Sequence, residues 1–184
     1  MKKIQRDFYS RDTITVAQDL LGKYLVHHQD NVEKIGRIVE VEAYIGEHDL
    51  AAHSSKGLTP RTKVMFGPAG HAYVYLIYGM YYCTNIVTET EGKGCGVLLR
   101  ALEPVKNINQ RTQGPGLLSK AMGITKELYG HDLLGDRFYL LDDEARRAPV
   151  SIIKRPRIGV DYAKEWAKKL LRFYIKDNPF VSKK

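Results

Sequence analysis

The chain has 184 residues, 43% hydrophobic and 27% charged, with a net charge of +8, which fits one globular domain with a real core and excludes a disordered chain. No apolar stretch approaches the length needed to cross a bilayer, and MKKIQRDFYSRD lacks a signal-peptide core, so the expectation is a cytoplasmic protein (nucleoid-associated if bacterial) with no membrane partner. Cys83 and Cys95 are too few for a disulfide framework or a thiolate metal cage.

Taken in chain order, Asp12 or Thr13 caps a short helix whose Ile14, Ala17, Leu20 and Leu21 form one apolar face, with Gly22 at its C-terminal end. KYLVHH then reads as a strand, QDN as a turn and KIGRIVEVEAY as the returning strand. HAYVYLIYGMYYCTNIV, residues His71 to Val87, is a hairpin bent at Tyr78-Gly79, and it holds five tyrosines in seventeen positions. GVLLRALEP is a further strand, stopped by Pro104. GPGLLSKAMGI opens as a short helix, RFYLLD is a strand, DYAKEWAKKL is an amphipathic helix and LLRFYI closes as a strand. Strands joined mostly by turns imply an antiparallel sheet with helices at its side. The expected fold is therefore a single α+β domain over 1–184, free of internal repeats and linkers, and the absence of a P-loop or G-x-G-x-x-G argues against a nucleotide cofactor.

Charge is unevenly placed. From Ala145 to Lys184 there are twelve Lys and Arg against three Asp and Glu, whereas residues 1–144 carry seventeen against eighteen. A basic segment inside a folded domain points to a polyanion partner, with Lys154, Arg155 and Arg157 as expected phosphate contacts.

Alternation along RIVEVEAY puts Val39, Val41 and Ala43 on a core face, and Ile38, Glu40, Glu42 and Tyr44 on the other. That second face is either a solvated strand surface or a site. A carboxylate at the mouth of the polar loop YIGEHDLAAHSS, flanked by aromatics, is placed for general-base work. Glu42, Glu47, His48, Asp49 and His53 could also be read as metal ligands, but the spacing of His48 and His53 does not match H-E-x-x-H, and His27 and His28 alternate faces. The expectation is no metal and no cofactor. In the hairpin, Tyr73 and Tyr75 share a face, and Tyr81 or Tyr82 suits cross-strand packing. Tyr78 at the tip is poorly placed for a core. It can instead act as a wedge in a base stack, with neighbouring aromatics receiving the displaced base.

The motifs GRIVEVEAY, AAHS, TPR, YVYLIYGMYYCTNIV, VLLRALEP and EWAKKLLRFYI, in this order from about Arg11 to Ser182, closely resemble the alkyladenine (3-methyladenine) DNA glycosylase family. The resemblance implies a mixed domain on a curved antiparallel sheet with peripheral helices and a protruding aromatic hairpin. It also implies a DNA base-excision enzyme, active as a monomer on double-stranded DNA containing damaged purines. By the same resemblance Glu42 is the general base that activates water, and Arg100 and the backbone carbonyl of Ile158 help to position that water. Tyr44, His53 and Tyr75 are walls around the flipped base, Asn85 crowds the amine of normal guanine, and Tyr78 intercalates. Two departures, a missing N-terminal extension and a shorter Glu103–Gly116 loop, lie outside the pocket motifs. The substrates implied are 3-methyladenine, 7-methylguanine, hypoxanthine and ethenoadenine, among which pocket width decides. The rivals to this reading are a non-catalytic nucleic-acid-binding module and a metal-dependent hydrolase built on Glu47–His53.

Overall fold

The structure, a computed structural model, describes residues 1–146 and 149–184; Arg147, one of the cations of the basic segment, lies outside them. A short strand β1 (Lys2–Lys3) and a helical turn α1 (Arg6–Tyr9) precede α2 (Thr13–Leu20). Helix α2 starts where expected, because the Asp12 carboxylate accepts the Thr15 N–H at 2.9 Å and satisfies a donor that helix starts leave unpaired. It buries Val16, Ala17 and Leu20. Strands β2 (Tyr24–Gln29) and β3 (Val32–Ile45) are joined through Asp30 and Asn31, both at positive φ, the backbone that suits the twist of a two-residue hairpin.

The remaining elements are β4 (Ala72–Ile77), β5 (Tyr81–Thr88), β6 (Cys95–Lys106), α3 (Pro115–Met122), β7 (Phe138–Asp142), β8 (Ile152–Arg155) and β9 (Arg172–Ile175). The path β1-β7-β2-β3-β6-β5-β4 is antiparallel throughout, and β9 joins β3 to β8. This is the expected α+β architecture. Strand β3 is its axis. One edge pairs with β6, and the other pairs with β2 along 32–37 and then with β9 along 40–42. The residues bearing Glu40 and Glu42 therefore have strands on both sides. Among the described residues no helix is long and apolar enough to cross a membrane.

Three expectations are corrected. First, β3 has no solvated face between Ile38 and Ala43: Ile38, Val39, Glu40, Val41, Glu42 and Ala43 are all fully buried. Register shifts at Ile38/Glu40 and Glu40/Val41 break the simple alternation, and side chains on both faces are covered. Second, β6 continues through Pro104 to Lys106. Strand β5 covers β6 only from Cys95 to Leu98, so proline's missing N–H falls on a stretch that β5 does not pair, opposite the irregularity at Ile35/Gly36. Third, Asp161–Lys168 is not one amphipathic helix but two 3₁₀ turns meeting at a kink, with Lys164 at φ 55°. Strand β8 is an addition that the pattern around Pro156 did not suggest.

Helix α3 begins at Gly114-Pro115 and ends at Gly123 in the left-handed region, as the glycines predict. Its Gly116 lies against the turn end of the aromatic hairpin, where an added Cβ would come within 2.8 Å of the Cβ of Tyr81, the partner of Ile77 in the last pair before the turn. The close approach supports the β5 arm just after the turn, while Tyr78 itself stays exposed.

Candidate active site

A cavity of about 420 Å³ opens between β3, the hairpin β4–β5 and the segment after β8. Glu42, Tyr44, His53, Tyr75, Tyr78, Asn85, Arg100 and Ile158 all line it. The structure thus brings together the eight residues that the family resemblance assigns to catalysis, the base pocket and intercalation. A larger open groove of about 950 Å³ shares none of these residues, and its charged side chains include the pairs Arg11–Asp19, Lys23–Asp142 and Arg37–Glu103.

Glu42 is fully buried and held at both oxygens. The Ile158 backbone N–H donates to Oε1 at 2.8 Å, and the Tyr44 hydroxyl donates to Oε2 at 2.7 Å. Arg100 Nη1 lies 3.4 Å from Oε1. Each carboxylate oxygen has two acceptor positions, so this arrangement leaves room for a water while fixing the carboxylate plane. The observed contact of Ile158 with Glu42 runs through its N–H rather than its carbonyl. Glu40, two residues earlier, ion-pairs with Arg172 at 3.0 Å and lies 3.5 Å from Arg100 Nε.

The walls are aromatic. The rings of His53 and Tyr75 are 4.5 Å apart, and those of Tyr73 and Tyr75 are 5.4 Å apart. His53 Nδ1 lies 2.9 Å from the Tyr73 hydroxyl oxygen. Burial, with Arg61 and Lys56 adding to it, pushes the His53 imidazole down to about 4, so at neutral pH it carries no charge. Burial likewise raises the Tyr73 phenol to about 12 and lifts Tyr44 and Tyr75 well above the ordinary tyrosine range. These phenols stay protonated and act as donors and flat apolar faces. Asn85 sits opposite Tyr73 on β5, and its Nδ2 donates to the Tyr73 carbonyl at 3.2 Å, which aims the amide along the pocket wall.

Tyr78 is 87% exposed, with φ 53° beside Gly79 at φ 66°. Met80 N–H closes the turn onto the Ile77 carbonyl at 3.2 Å. Positive φ at both central residues is the two-residue turn that matches strand twist, and it usually carries Asn-Gly. A tyrosine there packs against no core. Tyr82, by contrast, packs partly against the main core, and Tyr81 covers Gly116.

The basic segment behaves differently from expectation at Arg157. Its guanidinium is buried, bonds both oxygens of Asp49 (Nη2 to Oδ1 at 2.8 Å), donates to the Ala43 carbonyl and lies 4.7 Å from the centre of the Tyr44 ring. It shapes the pocket wall and is not free to meet a phosphate. Arg172 is likewise spent on Glu40. Lys154 and Arg155 remain exposed on β8. Asp49, taken from the sequence as a possible ligand, is the partner of Arg157, and His48 packs edge-on against Trp166. Glu40, Glu42, Arg100 and Arg172 thus form one buried, charge-balanced cluster, and Asp49 with Arg157 a second buried pair; removing one member of such a group leaves a buried charge unpaired.

Tyr73 and Arg61 are among the lining residues to which the sequence assigns no role. Tyr73 shares the strand face of Tyr75, so its period was the available signal. Arg61, in the TPR motif, lies 5.2 Å from the Tyr75 ring centre at the pocket, and nothing local in the sequence points it there.

The chain is similar to known proteins over nearly its whole length. The model of the methylpurine-DNA glycosylase family matches residues 7–179. A protein of Legionella pneumophila (strain Corby) is 69% identical over 183 residues, covering 100% of both chains. One from Myxococcus xanthus is 50% identical, covering 100% of this chain and 95% of the relative, and one from Alkaliphilus oremlandii is 48% identical, covering 99% and 100%. All three bear provisional names as 3-methyladenine DNA glycosylases.

Proposed function

Since the chain belongs to the methylpurine-DNA glycosylase family and is thereby a DNA N-glycosylase of base excision repair, we propose that it excises alkylated purines by flipping them out of the duplex into the aromatic cavity. The observation that carries this reading is Glu42, a fully buried carboxylate whose oxygens are each held by one donor at the floor of that cavity. Burying an acid costs free energy that a mere DNA-binding surface has no use for, least of all opposite phosphates.

In the proposed reaction the C1′–N bond breaks and its electron pair leaves with the base, while positive charge develops on the sugar. Glu42 takes a proton from water as the water oxygen bonds to C1′. The leaving base needs no partner acid if it is already cationic, as N3- and N7-alkylated purines are. Ring faces of Tyr44 and Tyr75 favour such a cation by about 0.5–2 kcal/mol, and the uncharged His53 does not oppose it. The described lining of the cavity includes no lysine amine, in keeping with a monofunctional enzyme that forms no Schiff base. Tyr78 fills the vacated position in the stack, and Asn85 crowds the amine of guanine.

The test is Glu42→Gln, which keeps size and one of the two acceptor oxygens but removes the base. Single-turnover excision from a lesion duplex should fall by about 10²–10⁴-fold or more while lesion binding persists. A variant that turns over at the normal rate removes Glu42 from the mechanism.

A further inference from the structure

Glu40 is as deeply buried as Glu42, yet it is not among the described residues that line the Glu42 cavity, and it belongs to none of the roles above. Its two oxygens are both anchored by groups outside the pocket. Arg172 Nη1 donates to Oε1 at 3.0 Å, and the Ser182 backbone N–H donates to Oε2 at 2.7 Å. Arg172 is pinned in turn by the carbonyls of Lys183 (2.7 Å) and Pro156 (3.0 Å). A carboxylate fixed in this way has little freedom.

Arg100 stands between the two glutamates. Its Nε lies 3.5 Å from Glu40 Oε1 and its Nη1 lies 3.4 Å from Glu42 Oε1. Both separations are long for charge-assisted hydrogen bonds, and the buried Nε has no hydrogen-bond partner among the described residues. A guanidinium with a single carboxylate neighbour closes onto it in a bidentate fork. Such a fork on Glu42 would occupy the acceptor positions that Ile158 and Tyr44 leave open, and with them the place of the water.

We infer that Glu40 is a positioning residue. Held by Arg172 and the Ser182 N–H, it draws Arg100 back from Glu42, so that residues on β9 and after it keep the general base open to water. This rests on the reading of Glu42 given above. It also explains why a second buried acid is kept two residues from the first.

The test is Glu40→Gln, read by single-turnover excision, by affinity for a duplex carrying a non-cleavable abasic-site analogue, and by melting temperature. Excision should fall by about 10–100-fold, as misplacing a reacting group does, with binding changed less than about 3-fold. In an Arg100→Ala background the same substitution should cause no further loss, since Glu40 acts through Arg100. A merely structural role predicts losses that multiply in the double variant, and that result overturns the inference. So does a normal excision rate. If Glu40→Gln fails to fold, Ser182→Pro removes the N–H that anchors Oε2 and leaves both glutamates in place. It should slow excision by about 3–10-fold, again only when Arg100 is present, and a folded Ser182→Pro with a normal rate overturns the proposal. Where Glu42→Gln is inactive and Glu40→Gln is not impaired, only this inference fails. Where Glu42→Gln is itself active, the functional reading fails first.

Discussion

Tyr78 occupies a backbone position that a tyrosine should avoid, and replacing it by asparagine separates stability from function. Its φ of 53° is left-handed, a conformation that costs an ordinary L-residue about 1–2 kcal/mol and asparagine less. Asn-Gly is the preferred pair for this hairpin turn. With 87% of its surface exposed, the tyrosine has few packing contacts to lose. Tyr78→Asn should therefore stabilise the fold by about 0.5–1 kcal/mol, a rise of about 1–4 °C in Tm for a chain of this size. The same change removes one stacking partner, about 1–3 kcal/mol, from the flipped state. That is a loss of about 5- to 150-fold in excision from a well-paired lesion. The loss should be smaller opposite a mismatch, where less unstacking is needed. Thermal unfolding and single-turnover excision on the two duplexes, measured on one preparation, provide the check. A lower Tm, or equal rates of wild type and variant on the paired lesion, would refute the wedge.

Two further outcomes follow from the electrostatics. His53 is held neutral by burial, by Arg61 and by Lys56, at about 4 instead of 6.5, so below pH 6.5 the unfolded chain binds a proton that the folded chain refuses. Stability contributed by this site should be intact above pH 6.5 and decline as pH falls towards 4, and His53→Gln should flatten that part of a Tm-against-pH curve; parallel curves would dismiss the effect. Neutralising Lys154 and Arg155 together should flatten the salt dependence of binding by about 1–2 units of slope on damaged and undamaged duplex alike, whereas Arg157→Gln should leave the slope unchanged and destabilise the fold by about 3–5 kcal/mol; titrations at several salt concentrations and melting curves distinguish them.

What could be read from the sequence was what is written locally. The Asp12 cap, the apolar spacing of α2, the Tyr78-Gly79 bend and the Gly-Pro and Gly boundaries of α3 each sit within a few residues of the structure they specify. Ordered motifs carried the eight pocket residues together. The failures have a common cause in long separation. Arg157 reads as a phosphate contact because nothing near it announces Asp49, 108 positions away. The face of Glu40 stays open between a solvated surface and a site because Arg172 lies 132 positions on. The break at Lys164 has another origin: its apolar period is helical, but a positive φ there turns the segment so that Val160 and Ala163 cover Ala51. Tertiary contact overrode a local preference.

The strand that carries Glu42 is made early, and the partners that complete it are made late. Ile158 follows Glu42 by 116 positions and Arg172 follows Glu40 by 132. At the usual pace of translation, about 5–20 residues per second, that interval lasts about 6–25 s. During it β3 can pair with β2, but the edge reserved for β9 stands open on a nascent chain. An open edge invites pairing with a neighbouring chain, and inward-pointing charge is one of the devices that discourages it. Glu40, whose partner Arg172 is still to be made, places such a charge in the stretch at risk.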